Sequence, residues 1–394
     1  MFAWSGAGWH GALPVLAVLA LTRPEAPAQV PPQEKYDKAA LRVADFILSQ
    51  QNEDGAIADA PDRDVCNEDS NMEYALMGVA AAYWKSGEEK YLRSLEHGIR
   101  WLAEREEMVD PEWRGSWRLA YAPKPPYAPK AISPGKGVVD ARGVDATSGL
   151  FVHLLRLHCV LSRGEALAKR YEANARAALD FVLTRNRAPD GFSFSSWQQK
   201  TPGGKWRLWR YQYAADQADV YLGLSAGERL YRDKRFQEAA LLIRQGIGAR
   251  FFSPSLGRYG LGRDKDDSLD SDFDEFDGIF PQGYVPWVFG KSLENEVAFQ
   301  WLSGRKQPDG SLSCYSGDPV YSLSVAVYAL AAARLGRPAP ADSLDWLLTH
   351  TYDASDGGVR DTAKAGREKY TNVAGFTVMA LTGFVPSRLD EQER

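Results

Sequence analysis

Between Ser49 and Tyr83 the chain reads SQQNEDGAIADAPDRDVCNEDSNMEYALMGVAAAY, and this stretch sets the fold class. It opens in a polar turn, Ser49 to Gly55, and closes in a segment, Met72 to Tyr83, that is apolar nearly all round. Asp-Gly, Asn and Pro form turns because they accept unusual backbone angles or fix φ. A helix without a polar face must be buried on every side, and Ala and Gly let neighbours come close. Just downstream, Leu92, Leu95, Ile99 and Leu102 fall on one helical face, with Arg93, Glu96 and Arg100 between them. Segment 36–50, upstream, is amphipathic in the same way. The unit is therefore an amphipathic helix, a polar turn and a buried helix.

The unit recurs. Further turns stand at Asp110–Trp117, Arg185–Gly191, Ser253–Gly260, Arg305–Gly310 and Asp353–Gly357. Segments 167–185, 234–250, 291–304 and 341–350 carry one-sided apolar stripes and read as outer helices. Thr147–Leu161 and Tyr321–Leu335 are apolar all round and read as inner ones. Six such pairs predict an all-α, (α/α)6 toroid of six helical hairpins, with an open superhelical solenoid as runner-up. Residues 1–28 read as a signal peptide: Ala12–Leu21 is a short apolar run and Ala26-Pro27-Ala28 is an A-x-A site, although Met1–Gly11 holds no Lys or Arg. The expectation is a single toroid over 29–394, secreted or periplasmic, with no membrane span in the mature chain.

With 394 residues a large core is available. A net charge of −5 disfavours nucleic acid as a partner. Three cysteines, Cys66, Cys159 and Cys314, make no CxxC pair, so no disulfide framework is expected, though one bridge stays open. Five histidines form neither HxH nor HExxH, so no zinc site is expected. The chain holds 12 Trp and 18 Tyr, many in polar, Gly-rich segments. Single rings of this kind are commonly half-buried. As a group, Trp113, Trp117, Trp197, Trp206, Trp209, Tyr211 and Tyr213 suggest a stacking surface for a ligand.

In a ring of hairpins, the turns leading into the inner helices gather on one face, where helix N-termini favour anions. The residues there are strongly polar. Glu68 and Asp69 precede the first inner helix, and Arg142 and Asp145 the second. Trp206–Tyr213 precedes the third, followed by Asp216 and Asp219. Asp264–Gly278 precedes the fourth, followed by Tyr284 and Trp287; Tyr321 and Tyr370 stand before the fifth and sixth. Asp69, Ser70 and Ser148 also read simply as helix caps. Asp145, Asp216, Asp277, Glu68 and Asp69 are the candidate catalytic acids, since buried carboxyls with raised pKa suit acid catalysis. The run 264–277 reads as a solvated loop. A calcium site at Asp272, Asp274 and Asp277 is the alternative there, although Glu275 occupies the glycine position of an EF-hand. Otherwise no cofactor is expected.

The six-hairpin pattern resembles the six-hairpin glycosidase superfamily and the toroidal polysaccharide lyases. Asn67–Met77 resembles the first inner helix of family 8 glycoside hydrolases, and that resemblance implies Glu68 as proton donor, although the Ser-Glu order is not kept. Gln51–Gly55 is similar to the QxxDG turns of terpenoid cyclase and prenyltransferase toroids. The zinc ligands of the latter and the DxDD of the former are missing.

Three functions follow as expectations. The first is a carbohydrate-active enzyme, a glycoside hydrolase acting on a polysaccharide or oligosaccharide. Its two carboxyls would stand about 5–5.5 Å apart for retention or roughly 6.5–9.5 Å for inversion. The second is a lyase or epimerase on an acidic glycan, with a Tyr or His base and Arg or Asn to neutralise the uronate, for which Tyr211, Tyr213, Tyr370, Arg142 and Arg210 are available. The third is a glycan-binding or assembly protein without turnover. Elimination leaves an unsaturated product that absorbs in the ultraviolet, hydrolysis does not, and a binding protein leaves the polymer intact; spectroscopy of a glycan digest separates the three.

Overall fold

The computed structural model describes residues 33–133, 135, 137–271, 275–313, 320–364 and 366–386, without the side chains of 275–277. The segment read as a signal peptide lies outside these residues. The hairpins are α1 (Gln33–Ser49) with α2 (Asn71–Ser86), α3 (Glu89–Arg105) with α4 (Asp145–Ser162), and α5 (Ala166–Arg170) plus α6 (Glu172–Thr184) with α7 (Ala214–Tyr231). Next come α8 (Lys234–Phe251) with α9 (Glu275–Phe289), α10 (Leu293–Ser303) with α11 (Ser322–Leu335), and α12 (Ala341–His350) with α13 (Thr371–Thr382). The inner helices α2, α4, α7, α9, α11 and α13 each pack on the next, and α13 packs back on α2. The (α/α)6 toroid is therefore closed, and the open solenoid is excluded.

Glycine sets the spacing of the inner ring. A Cβ on Gly78 of α2 would lie 2.4 Å from the Cα of Gly375 on α13. One on Gly223 of α7 would lie 2.4 Å from the Cα of Gly149 on α4, and one on Gly283 of α9 would lie 2.7 Å from the backbone of Val327 on α11. The six inner helices thus form three pairs in backbone contact.

The turns lock the outer ring. Gly55 has φ +102°, and a Cβ there would lie 2.2 Å from the carbonyl oxygen of His97 on α3. Gly115 and Gly310 abut the backbones of α6 and α12 in the same way, and Gly191 and Gly257 face side chains of α8 and α10. Gly357, after the last outer helix, returns to Arg42 on α1, with a Cβ position 2.4 Å from its carbonyl oxygen. Each turn therefore docks on the next outer helix, and the sixth closes on the first.

Small strands fill the polar insertions. β1 (Asp140–Arg142), β2 (Ser196–Gln199) and β3 (Arg207–Trp209) form one antiparallel sheet, with Ala141 opposite Gln198 and Trp197 opposite Leu208. β4 (Gln212–Tyr213) joins two later strands at Gly262–Arg263 and Leu269–Asp270 in another. All of this lies before inner-helix N-termini, on one face of the ring. Cys66 and Cys159 are buried, and Cys314 lies outside the described residues. Among the described residues no helix is long and apolar enough to cross a membrane.

Gly78→Ala places a methyl group against backbone that cannot step aside, and we expect a loss of about 3 kcal/mol. Gly87→Ala, at φ +69° with nothing within 4 Å, should cost about 1–2 kcal/mol. Equilibrium urea unfolding ranks the two, and equal losses would show that the α2–α13 contact does not limit stability.

Candidate functional site

Where the inner helices begin, the ring holds a cavity of about 540 Å³ to which all six hairpins contribute. Its acids are Glu68 and Asp69 before α2, Asp216 in the first turn of α7, and Asp361. Trp209, Tyr213, Phe280, Tyr321, Tyr370 and Phe376 supply rings, and Leu119, Val144, Ala146 and Leu261 an apolar wall.

Asp69 is held in a strained segment. Asn67, Asp69 and Ser70 have φ of 50°, 51° and 68°, in the left-handed region that non-glycine residues enter at a cost of order 1–3 kcal/mol each. Surrounding bonds enforce it. The Asp69 amide donates to Leu119 O (3.1 Å), and Asn67 Oδ1 accepts from the Met72 amide (3.1 Å). The Ser70 hydroxyl meets the Thr147 hydroxyl on α4 (2.8 Å) instead of capping α2. Asp59 accepts from the Glu68 amide and the Asn71 side chain. The Asp69 carboxylate is exposed to the cavity. Its depth within the ring, with Glu68 adjacent, pushes its pKa up to about 6.

Asp216 faces the same space from α7. Burial raises its pKa well above the carboxylate range, and the neighbouring charges of Asp145, Asp69 and Asp219 raise it further. Beneath the cavity floor lie two carboxyls that do not reach it. Asp145, the first residue of α4, is fully buried and accepts from the Ser193 hydroxyl and the Ala146 amide. Asp219 accepts from the phenols of Tyr74 on α2 (2.7 Å) and Tyr284 on α9. Glu73, equally buried, is pushed up to about 8 by burial. Glu68 lines the cavity in an ion pair with Arg63 (3.2 Å).

The structure divides the aromatic residues. Trp209, Tyr213, Tyr321 and Tyr370 line the cavity, and Tyr211 stacks on Trp209 at 5.3 Å behind it. Trp113, Trp197 and Trp206 instead pack with each other beside β1–β3, outside the cavity, with the Arg142 guanidinium 4.1 Å from the Trp113 ring centroid. Trp117 is core, its indole N–H bonded to Leu102 O (2.8 Å). Tyr284 is buried under the floor, and Trp287 lies at the far end of the ring, bonded to Phe384 O. Asp277 stands in α9, but its side chain lies outside the described residues, as do Asp272 and Asp274. Among the described residues, no group of three acid, His or Cys side chains is placed to hold a metal ion.

Sequence reasoning passed over Arg63, Tyr74, Asp361 and Phe376. Tyr74 and Phe376 sit in apolar helices whose pattern does not mark the face turned to the cavity. Arg63 is distinguished only by its tertiary partners, Glu68 and the Tyr370 hydroxyl (3.1 Å).

No known sequence family and no curated protein matches the chain. Solved structures do, and they show the same six-hairpin (α/α)6-toroid architecture. The GH76A α-1,6-mannanase from Salegentibacter sp. HEL1_6 superposes with a TM-score of 0.57 at 11% identity, over 90% of this chain and 99% of that one. A cellobiose 2-epimerase from Bacillus thermoamylovorans B4167 gives 0.62 at 12% identity, over 88% and 99%. A D-mannose isomerase gives 0.63 at 10% identity, over 89% and 96%. An inactive form of the mannanase, with two consecutive aspartates replaced, is in complex with α-1,6-mannotriose. The adjacent aspartates of this chain, Asp266 and Asp267, lie instead on a loop where Asp267 pairs with Arg250.

The raised carboxyls give a signed pH dependence. Asp59 (about 7), Asp69 (about 6) and Glu73 (about 8) each bind a proton more tightly in the fold than in the unfolded chain. The folded state therefore holds more protons between about pH 4 and pH 8, and stability falls as pH rises through that window. We expect the melting temperature to rise on acidification from pH 8 to pH 5, and Glu73→Gln to flatten the upper part of that slope.

Proposed function

We propose that the protein is a glycoside hydrolase acting on a neutral glycan, with Asp216 as proton donor and Asp69 as the ionised carboxylate. The observation that carries this reading is that the two acids open into one aromatic-walled cavity, Asp69 from the loop before α2 and Asp216 from α7, in environments that set their pKa values apart. Such a divergence divides acid from base. Asp216, its proton retained by burial and by three carboxylate neighbours, donates to the leaving glycosidic oxygen. Asp69, ionised above about pH 6, acts on the anomeric side, directly or through water. Trp209, Tyr213 and Tyr370 offer faces for sugar rings.

The fold shared with a mannanase, an epimerase and an isomerase supports a carbohydrate substrate. Three features favour hydrolysis over elimination or epimerisation. No His lines the cavity among the described residues. The Tyr74 proton is committed to Asp219, and burial pushes its pKa further up, away from use as a base. The carboxylates at the wall repel a uronate. Export through a leader over residues 1–28 belongs to this proposal, supported by the Ala12–Leu21 run and the A-x-A site.

Release of reducing ends from a panel of neutral glycans tests the reading. Asp216→Asn and Asp69→Asn should each lower kcat by about 10²–10⁴-fold with the circular dichroism spectrum retained. Activity should rise as pH increases through about 6, where Asp69 ionises, and that acid limb should vanish in Asp69→Asn. Full turnover by both variants, or an unsaturated product, would overturn it.

A further inference from the structure

The hairpin of β2 and β3 departs from the charge balance of the chain. From Gly191 to Ala215 the sequence holds no acid and four cations, Lys200, Lys205, Arg207 and Arg210, in a protein of net charge −5. All four are exposed, and among the described residues none of them has an ion-pair partner.

Register and pleat fix where each side chain stands. Side chains alternate between the faces of a strand, and residues directly opposite one another share a face. Ser196 pairs with Trp209, and Gln198 with Arg207. Ser196 and Trp209 line the glycan cavity, so Gln198 and Arg207 stand on that same face. Leu208 and Arg210 stand on the other and line a separate outer groove. The Ser196–Trp209 end is anchored where the inner helices begin: the Asp145 amide donates to Ser195 O (2.9 Å), and the Ser195 amide to Tyr211 O (2.8 Å). The strands run outward from there. Exposure rises along them, from buried Ser196 through half-buried Gln198 to exposed Lys200. Gln198 and Arg207 therefore stand two residues, about 7 Å, beyond the cavity wall, at its rim. Neither side chain has a hydrogen-bond partner among the described residues.

We propose that Arg207, with Gln198 beside it and Lys200 and Lys205 flanking the hairpin turn, binds an anionic sugar unit outside the cavity. The preferred glycan is then neutral where it enters the ring and carries an acidic group further out. This inference rests on the glycan reading of the cavity, but not on which bond is broken there. The guanidinium presents a planar fork that carboxylate and sulfate oxygens match in pairs, and the Gln198 amide offers both donor and acceptor to hydroxyls nearby. Glu68, Asp69, Asp216 and Asp361 line the cavity itself and disfavour a like charge within it. A glycan of mixed charge is thereby led in by its neutral end.

An array of matched pairs, neutral oligosaccharides and the same chains with one uronate or one sulfated unit, tests the site by binding. The acidic member of at least one pair should bind the wild-type chain about three- to fivefold more tightly at low salt. That margin should fall as salt screens the rim. The uronate and sulfate pairs separate the two sources of charge. Arg207→Gln should erase the margin and leave affinity for the neutral partner unchanged, and Arg207→Lys should keep part of it. Arg210→Gln removes the same charge from the outer face of the strand and should leave the margin intact. Turnover enters none of these readouts, so loss of the hydrolase reading leaves the margin in place, and loss of the margin leaves turnover in place. The proposal is overturned if no acidic member binds more tightly than its partner, or if the margin survives Arg207→Gln or is lost equally in Arg210→Gln. Competition by polyglutamate or oligothymidylate as strong as by the acidic glycan would overturn it too.

Discussion

The backbone contacts between Gly78 and Gly375, Gly149 and Gly223, and Gly283 and Val327 govern the geometry of the whole molecule. They draw six helices into three pairs at a separation that no larger side chain permits, and those pairs make the ring narrow enough to close. Runs of Ala, Ala80–Ala82 on α2 and Ala331–Ala333 on α11, also allow close packing. The turn glycines do the complementary work outside, each seating one hairpin on the next outer helix until Gly357 reaches α1.

A narrow ring has an electrostatic consequence. It brings six helix N-termini to one end, where their partial positive charge favours anions, and the carboxyls of Asp69, Glu73, Asp145, Asp216 and Asp219 collect there. Such acids would ionise freely on a surface. Here burial and mutual repulsion push all of their pKa values up. The tyrosine hydroxyls on Asp219 and the serine hydroxyl on Asp145 lower the cost of the remaining charge. The left-handed backbone at Asn67, Asp69 and Ser70 is a further cost, tolerated because neighbouring bonds over-determine it. Strain and a raised carboxyl pKa coincide at the same loop, the pattern expected where a site is built at the expense of stability.

The other end is the electrostatic inverse. Helix C-termini finish there, and arginines from α4, α7, α8 and α11 surround a smaller cavity. Carboxyls therefore collect at one mouth and arginines at the other. The two cavities lie at opposite ends of the ring, and Leu150, Phe151 and Val220 are among the buried apolar residues of the inner helices.

By itself the sequence determined the hairpins. Apolar periodicity separated outer from inner helices, and the six polar turns marked their joints, because both signals are local and depend on one residue's neighbours along the chain. It also determined which segments share a face, since every polar insertion precedes an inner helix. Closure of the ring belonged to the tertiary structure, because a solenoid and a toroid use the same local pattern and differ only in whether α13 meets α2. So did membership of the site. Trp113 and Trp209 read alike in sequence, yet one packs beside Trp206 and Arg142 and the other faces the cavity. Asp145 and Asp216 both stand in the first turn of an inner helix, yet rotation of the helix buries the first and opens the second. Tyr74 was hidden in an apolar run because direction around a fully buried helix leaves no trace in composition. These outcomes depend on distances of a few ångströms between residues far apart in the chain, which only the assembled ring specifies.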